Sequence, residues 1–178
     1  MSNLDRRHYH YIVDAKGVIH NGDFPVSANI APKQGQYAAH TLNCNTGSIG
    51  VAVAAMAGAV ERPFSPGTHP ITEVQLEALY SLCADLAQEY GIPVTRETLL
   101  THAEVQPTLK IKQRGKWDIS WLPGMETPKD PILVGDMIRM GVTRAIVGKA
   151  LEQPPAVAPP KKPKGFWDSV FSLFGGGR

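Results

Sequence analysis

The sequence predicts one α/β domain, and three stretches carry that reading. HYHYIVDAKGVIHNG, residues 8–22, sets two short apolar runs around Asp14-Ala15-Lys16-Gly17, the pattern of a β-hairpin whose glycine takes the positive φ of the turn. SIGVAVAAM, residues 48–56, is β-branched and apolar almost throughout, as expected of a central strand covered on both faces. Thr72 and Gln75 have capping-box spacing, and Leu76, Leu79, Leu82, Cys83, Leu86 and Tyr90 follow at helical intervals until Gly91 ends the run.

The other elements fall between and after these. Residues 24–36, rich in Pro, Gly, Asn and Gln, read as a loop leading to the central strand. Residues 93–99 carry a short turn, and Leu99-Leu100-Thr101-His102 delivers a histidine at the end of a strand-like segment. Past Pro123 the periodicity weakens, yet Met137, Ile138, Val142, Ile146 and Leu151 mark one helix over 134–151 despite its glycines. Residues 153–165 form a Pro/Lys-rich linker of polyproline II character, with lysines at 161, 162 and 164. In 166–178, Phe166, Val170 and Phe174 share a helical stripe beside Trp167 and Phe171. That short aromatic amphipathic tail suits a membrane surface, a protein groove, or its own domain. The organisation expected is a domain over 1–125, a helical extension over 126–152, then linker and tail.

Composition narrows the function classes. At 178 residues, 43% of them hydrophobic, the chain suits one domain with a core and leaves no room for a second full one. Eighteen basic against 16 acidic side chains give a charge of +2, too balanced for nucleic-acid binding by electrostatics alone. Cys44 and Cys83 form no CxxC pair, which argues against a thiolate zinc knuckle or a disulfide framework and fits a reduced, cytoplasmic history. MSNLDRRHYH lacks the apolar core of a secretory signal, and no run approaches the roughly 18 apolar residues of a membrane span. A monomer is expected.

THAEVQPTLKIKQRGKWDIS, residues 101–120, holds the most suggestive chemistry. A zinc hydrolase needs imidazole or carboxylate ligands, an open position for water, and groups that stabilise an oxyanion and move protons. His102 and Asp118 are ligand types, and Lys116 is a cation two residues before one of them. In an extended segment residues two apart share a side, so Lys116 and Asp118 would face one pocket while Trp117 turns into the core.

Four motifs then occur in one order: Tyr9-His10-Tyr11-Ile12-Val13-Asp14 with Gly17; His40 and Asn45 ahead of Ser48-Ile49-Gly50; Thr101-His102-Ala103-Glu104-Val105; and Lys116-Trp117-Asp118. Over residues 9–122 the chain resembles the zinc-dependent N-acetylmuramoyl-L-alanine amidases of the type-2 amidase family, which includes amidase-type bacteriophage lysozymes and peptidoglycan recognition proteins. The resemblance implies a mixed β-sheet flanked by α-helices, and hydrolysis of the amide between N-acetylmuramic acid and L-alanine in peptidoglycan or muropeptides. His102 and Asp118 would bind Zn2+, Lys116 would stabilise the oxyanion, and Tyr9 would assist the attacking water. His40 and Asn45 would line the substrate groove. A phage or prophage endolysin, waiting in the cytoplasm and acting on the cell wall after release, fits the absence of a signal segment.

One departure from the family pattern stands out. A first zinc histidine on an early strand, upstream of the segment matching HYHYIVD, has no counterpart in the eight residues before Tyr9. The domain is then N-terminally incomplete relative to the family and should carry an unprotected sheet edge. Three accounts fit: Met1 is an internal methionine of a longer reading frame, His8 or His10 replaces the ligand, or the protein binds muropeptide without cleaving it. His20 and His69 lie in turns, Cys44 is expected to be inert, and Glu104 reads either as a partner of the site or as a surface charge.

Overall fold

The computed structural model of the protein describes residues 3–152. Its elements are α1 (Asn3–His8), β1 (Tyr11–Val13), β2 (Ile19–Asn21), a 3-10 turn (Val26–Asn29), β3 (Val51–Val53), α2 (Glu73–Tyr90), α3 (His102–Leu109) and α4 (Pro131–Glu152). The sheet order is β2-β1-β3, with β2 antiparallel and β3 parallel to β1. It is the mixed sheet with flanking helices that the sequence predicts.

The hairpin forms for the reason expected. Asp14 Oδ1 accepts from the Lys16 and Val18 amides at 2.8 and 3.0 Å, and Gly17 sits at φ 77°. Gly17 also lies against α2: a Cβ there would meet Val74 Cγ1 at 3.0 Å.

The expected central strand is placed differently. β1 is central, with Ile12 and Val13 fully buried, whereas β3 is half-buried and ends the sheet, no strand pairing with its far side among the described residues. An apolar run reports burial of side chains but not what borders the backbone, so position within a sheet is not encoded in it.

The capping box of α2 is present, with Gln75 N donating to Thr72 Oγ1 at 3.3 Å and Thr72 N to Gln75 Oε1 at 3.1 Å. Gln75 Nε2 also donates to Ala54 O, pinning the helix start to the chain leaving β3. Gly91 closes the helix in the left-handed conformation. The 99–102 segment, expected to be strand-like, is not a strand. Thr101 caps α3 through a second capping box, with Glu104, and His102 is the first residue of that helix. The Thr-x-x-Glu spacing carried this signal, the same signal as in α2.

The helix expected over 134–151 begins three residues earlier. Asp130 Oδ1 accepts from the Ile132 and Leu133 amides, and Pro131 opens the helix where no donor is required. Val134, Ile138 and Val142 join Leu76, Leu79, Tyr80, Trp121 and Leu122 in the main core. Two of the glycines that weaken α4 by propensity are points of close approach: a Cβ on Gly141 would stand 2.6 Å from the Tyr80 ring, and one on Gly135 would stand 2.0 Å from the Glu104 carboxylate. The linker at 153–165 and the tail at 166–178 lie outside the described residues.

Candidate metal centre and cleft

A cleft of about 750 Å³ opens between the free side of β3 and the chain entering α3, and Tyr9, His40, His102, Trp117 and Asp118 all line it. His102 Nδ1 lies 3.2 Å from Asp118 Oδ2. The backbone fixes the pair, since Ala103 N donates to Asp118 O at 2.7 Å. The His102 side chain is 17% exposed and that of Asp118 54% exposed, so the pair opens to solvent on the carboxylate side. Contact with the His102 ring is the largest cause holding the Asp118 carboxyl below its usual range; burial opposes it and the charge of Lys116 adds to it.

Tyr9 follows α1, its amide donating to Asp5 O. Burial first, then the charges of Asp118 and Asp5, push its phenol pKa up, so it is a protonated donor at neutral pH. His40 packs on Gly50, where a Cβ would come within 2.4 Å of the imidazole, and lies 5.8 Å from the ring of His10. Its Nδ1 pairs with Thr41 Oγ1 at 2.9 Å, while its buried Nε2 makes no hydrogen bond among the described residues. Burial, with the nearby His10 and His102 adding and the Ser48 backbone opposing, lowers the His40 pKa to about 4. It is a neutral imidazole at physiological pH.

Other expected positions lie elsewhere. Asn45 is not in the cleft lining; its Oδ1 accepts from Thr41 N at 2.8 Å and closes the 41–45 turn. Lys116 is exposed and borders a second, shallower groove with Arg62, Phe64 and Thr127, although its charge reaches Asp118. The expected geometry, with Lys116 and Asp118 on one side and Trp117 in the core, does not form. Residues 116–118 are not in a strand and the chain turns at 118–120, and Trp117 lines the cleft with Asp118.

Neither His8 nor His10 lines the cleft. His10 is buried with both nitrogens engaged, Nδ1 accepting from Gly50 N at 2.9 Å and Nε2 facing Asn29 Oδ1 at 3.2 Å. His8 Nδ1 donates to Ala39 O at 3.1 Å. Cys44 is a free, half-buried thiol on the cleft wall.

Two features escaped the sequence reading. Glu104 is fully buried and paired with Arg139 of α4, and Gln113, 3% exposed, faces His102 Nε2 at 3.0 Å. The capping-box spacing pointed to Glu104, but nothing in the sequence marked Arg139 or Gln113.

Zinc bonds of about 2.0–2.1 Å in a tetrahedron place neighbouring donor atoms roughly 3.3 Å apart. The His102–Asp118 separation of 3.2 Å fits one edge of such a site. No cluster of three or more His, Cys, Asp or Glu able to hold a metal occurs among the described residues. The model of one protein family, described as N-acetylmuramoyl-L-alanine amidase, matches residues 1–124. No curated protein and no solved structure gives a significant match.

Proposed function

The chain belongs to the N-acetylmuramoyl-L-alanine amidase family, and on that premise we propose that it is a zinc-dependent enzyme cleaving the amide between N-acetylmuramic acid and L-alanine in peptidoglycan. The observation that carries this reading is the His102–Asp118 pair at 3.2 Å in a cleft shared with Tyr9 and His40. His102 and Asp118 would hold the metal. When bound, zinc polarises the scissile carbonyl and lowers the pKa of a water towards about 7.

The remaining roles belong to the chain's own groups. Tyr9, a protonated phenol on the cleft wall, orients the attacking water by hydrogen bonding. Lys116, on a flexible stem beside Asp118, supplies positive charge to the developing oxyanion by swinging over the cleft rim, an effect of roughly 3 kcal/mol when the cation is well placed. His40 lines the cleft and bounds the substrate groove there, and Asn45 acts through the turn that presents Thr41. The endolysin type, with release from the cytoplasm on to the cell wall and a monomeric chain, extends the proposal from the sequence resemblance.

Digestion of purified muropeptides tests the reading. Wild-type protein should take up zinc and release free L-alanine amino groups, and His102→Ala should lose both. A second reading, a peptidoglycan-binding module without cleavage, is favoured by the ligand pair lacking a third partner among the described residues. Retention on insoluble cell wall with no amine release would support that alternative and reject the first.

A further inference from the structure

We infer that Gln113 is a positioning residue that holds the His102 ring with Nε2 protonated and Nδ1 bare towards Asp118. Gln113 lies between α3 and the Asp118 turn, its backbone amide anchored on Gln106 Oε1 at 2.9 Å. Its side-chain Nε2 donates to Leu42 O at 2.9 Å and reaches Ile111 O at 3.4 Å. These two carbonyls decide which end of the amide is nitrogen, because the flipped amide would press oxygen against oxygen.

Gln113 Oε1 therefore faces His102 Nε2 at 3.0 Å, and since this oxygen only accepts, the ring nitrogen must carry the hydrogen. A neutral imidazole has one N–H, which leaves a lone pair on Nδ1. That lone pair faces Asp118 Oδ2 at 3.2 Å, at the long limit for a hydrogen bond from a ring N–H. Two facing electron-pair donors are compatible when a cation lies between them. This step rests on the reading of His102 and Asp118 as zinc ligands, and it gives the pair an orienting group of the kind that fixes tautomer and ring direction in metal sites. Through Leu42 O, the same amide also ties the turn carrying His40, Thr41 and Asn45 to the histidine.

The test is a long-range 1H–15N spectrum of the full chain at about pH 8, above the ordinary imidazole pKa, metal-free and with zinc, alongside zinc affinity by chelator competition. The expected result is His102 protonated at Nε2 in both states, with zinc shifting only Nδ1. Gln113→Met should let the proton move to Nδ1 and weaken zinc binding about 10–100-fold. Gln113→Glu keeps the acceptor facing His102 Nε2 but turns a second oxygen on to the Leu42 and Ile111 carbonyls, so it should hold the proton at Nε2 while lowering stability. Protonation at Nδ1 in the wild type, zinc bound through Nε2, or an unaltered tautomer and affinity in Gln113→Met would overturn the inference. A wild type that keeps Nε2–H but takes up no zinc would reject the zinc reading and still support the role of Gln113. Should Gln113→Met fail to fold, the wild-type spectrum and Gln113→Glu decide.

Discussion

Replacing Arg139 by methionine should be among the most damaging single changes in the described part of the protein. Arg139 Nη2 donates to Glu104 Oε1 at 2.8 Å and Nη1 to Oε2 at 3.2 Å, between side chains 7% and 0% exposed. Nη1 also donates to Leu99 O at 2.7 Å. Removing the guanidinium leaves a carboxylate with no route to water, which typically costs about 3–5 kcal/mol, and the orphaned Leu99 carbonyl adds roughly 1 kcal/mol. Against a domain stability of about 5–15 kcal/mol, that is a large fraction. With a urea slope of about 1–3 kcal/mol/M, the unfolding midpoint should fall by roughly 2 M. Because Glu104 caps the helix that begins with His102, zinc affinity should fall too. Adding Glu104→Gln removes the stranded charge yet keeps an acceptor for Thr101 N, so the double variant should recover at least half of the lost stability. A single variant within about 1 kcal/mol of wild type, which is the scale of an ordinary surface change, would refute the reasoning, as would a double variant no better than the single.

Other expectations follow from the cleft and from α4. His102→Ala should abolish zinc retention and activity together, whereas Lys116→Ala should keep zinc stoichiometry and lose roughly 100-fold in kcat; unchanged turnover in Lys116→Ala would remove that lysine from the reaction. His40, with a folded pKa of about 4 against about 6.5 unfolded, binds its proton more weakly when folded. Its contribution is therefore complete above about pH 6.5 and lost as pH falls towards 4, by roughly 3 kcal/mol over that window. Urea midpoints of wild type and His40→Asn should diverge across that range, and parallel pH profiles would show that His40 is not buried in its neutral form. Gly141→Ala, favourable by helix propensity, should instead destabilise by about 1–3 kcal/mol because the new methyl meets Tyr80; a rise in melting temperature would show that the helices can separate without cost.

What could be read from the sequence was governed by the range of the interactions involved. The hairpin turn at Asp14–Gly17, the Thr72–Gln75 box and the Gly91 stop are settled within four residues of chain, and each forms in the structure. His102 and Asp118 meet at the cleft as well, although by a route the sequence did not specify: a helix start and a turn instead of two strand ends. Two-residue alternation failed at Lys116-Trp117-Asp118 because it presumes extended backbone, and these residues are not in a strand. Glycines gave the opposite error. Propensity counts Gly135 and Gly141 against α4, but the cost of about 1 kcal/mol each is offset by the contacts their missing side chains permit.

The supports of the candidate site depend on longer reach. Gln113 meets Leu42 across 71 residues, and Arg139 meets Glu104 across 35, so neither spacing nor periodicity announces them. Their placement bears on where the functional unit ends. The family match stops at residue 124, yet Arg139 of α4 secures the helix that begins with His102, and α4 contributes Val134 and Ile138 to the main core. A chain cut after residue 124 would expose that core face and leave Glu104 buried without its counter-charge. It should fold poorly and bind zinc weakly even though every matched motif is present, and native-like zinc affinity in that truncation would show α4 to be dispensable to the site.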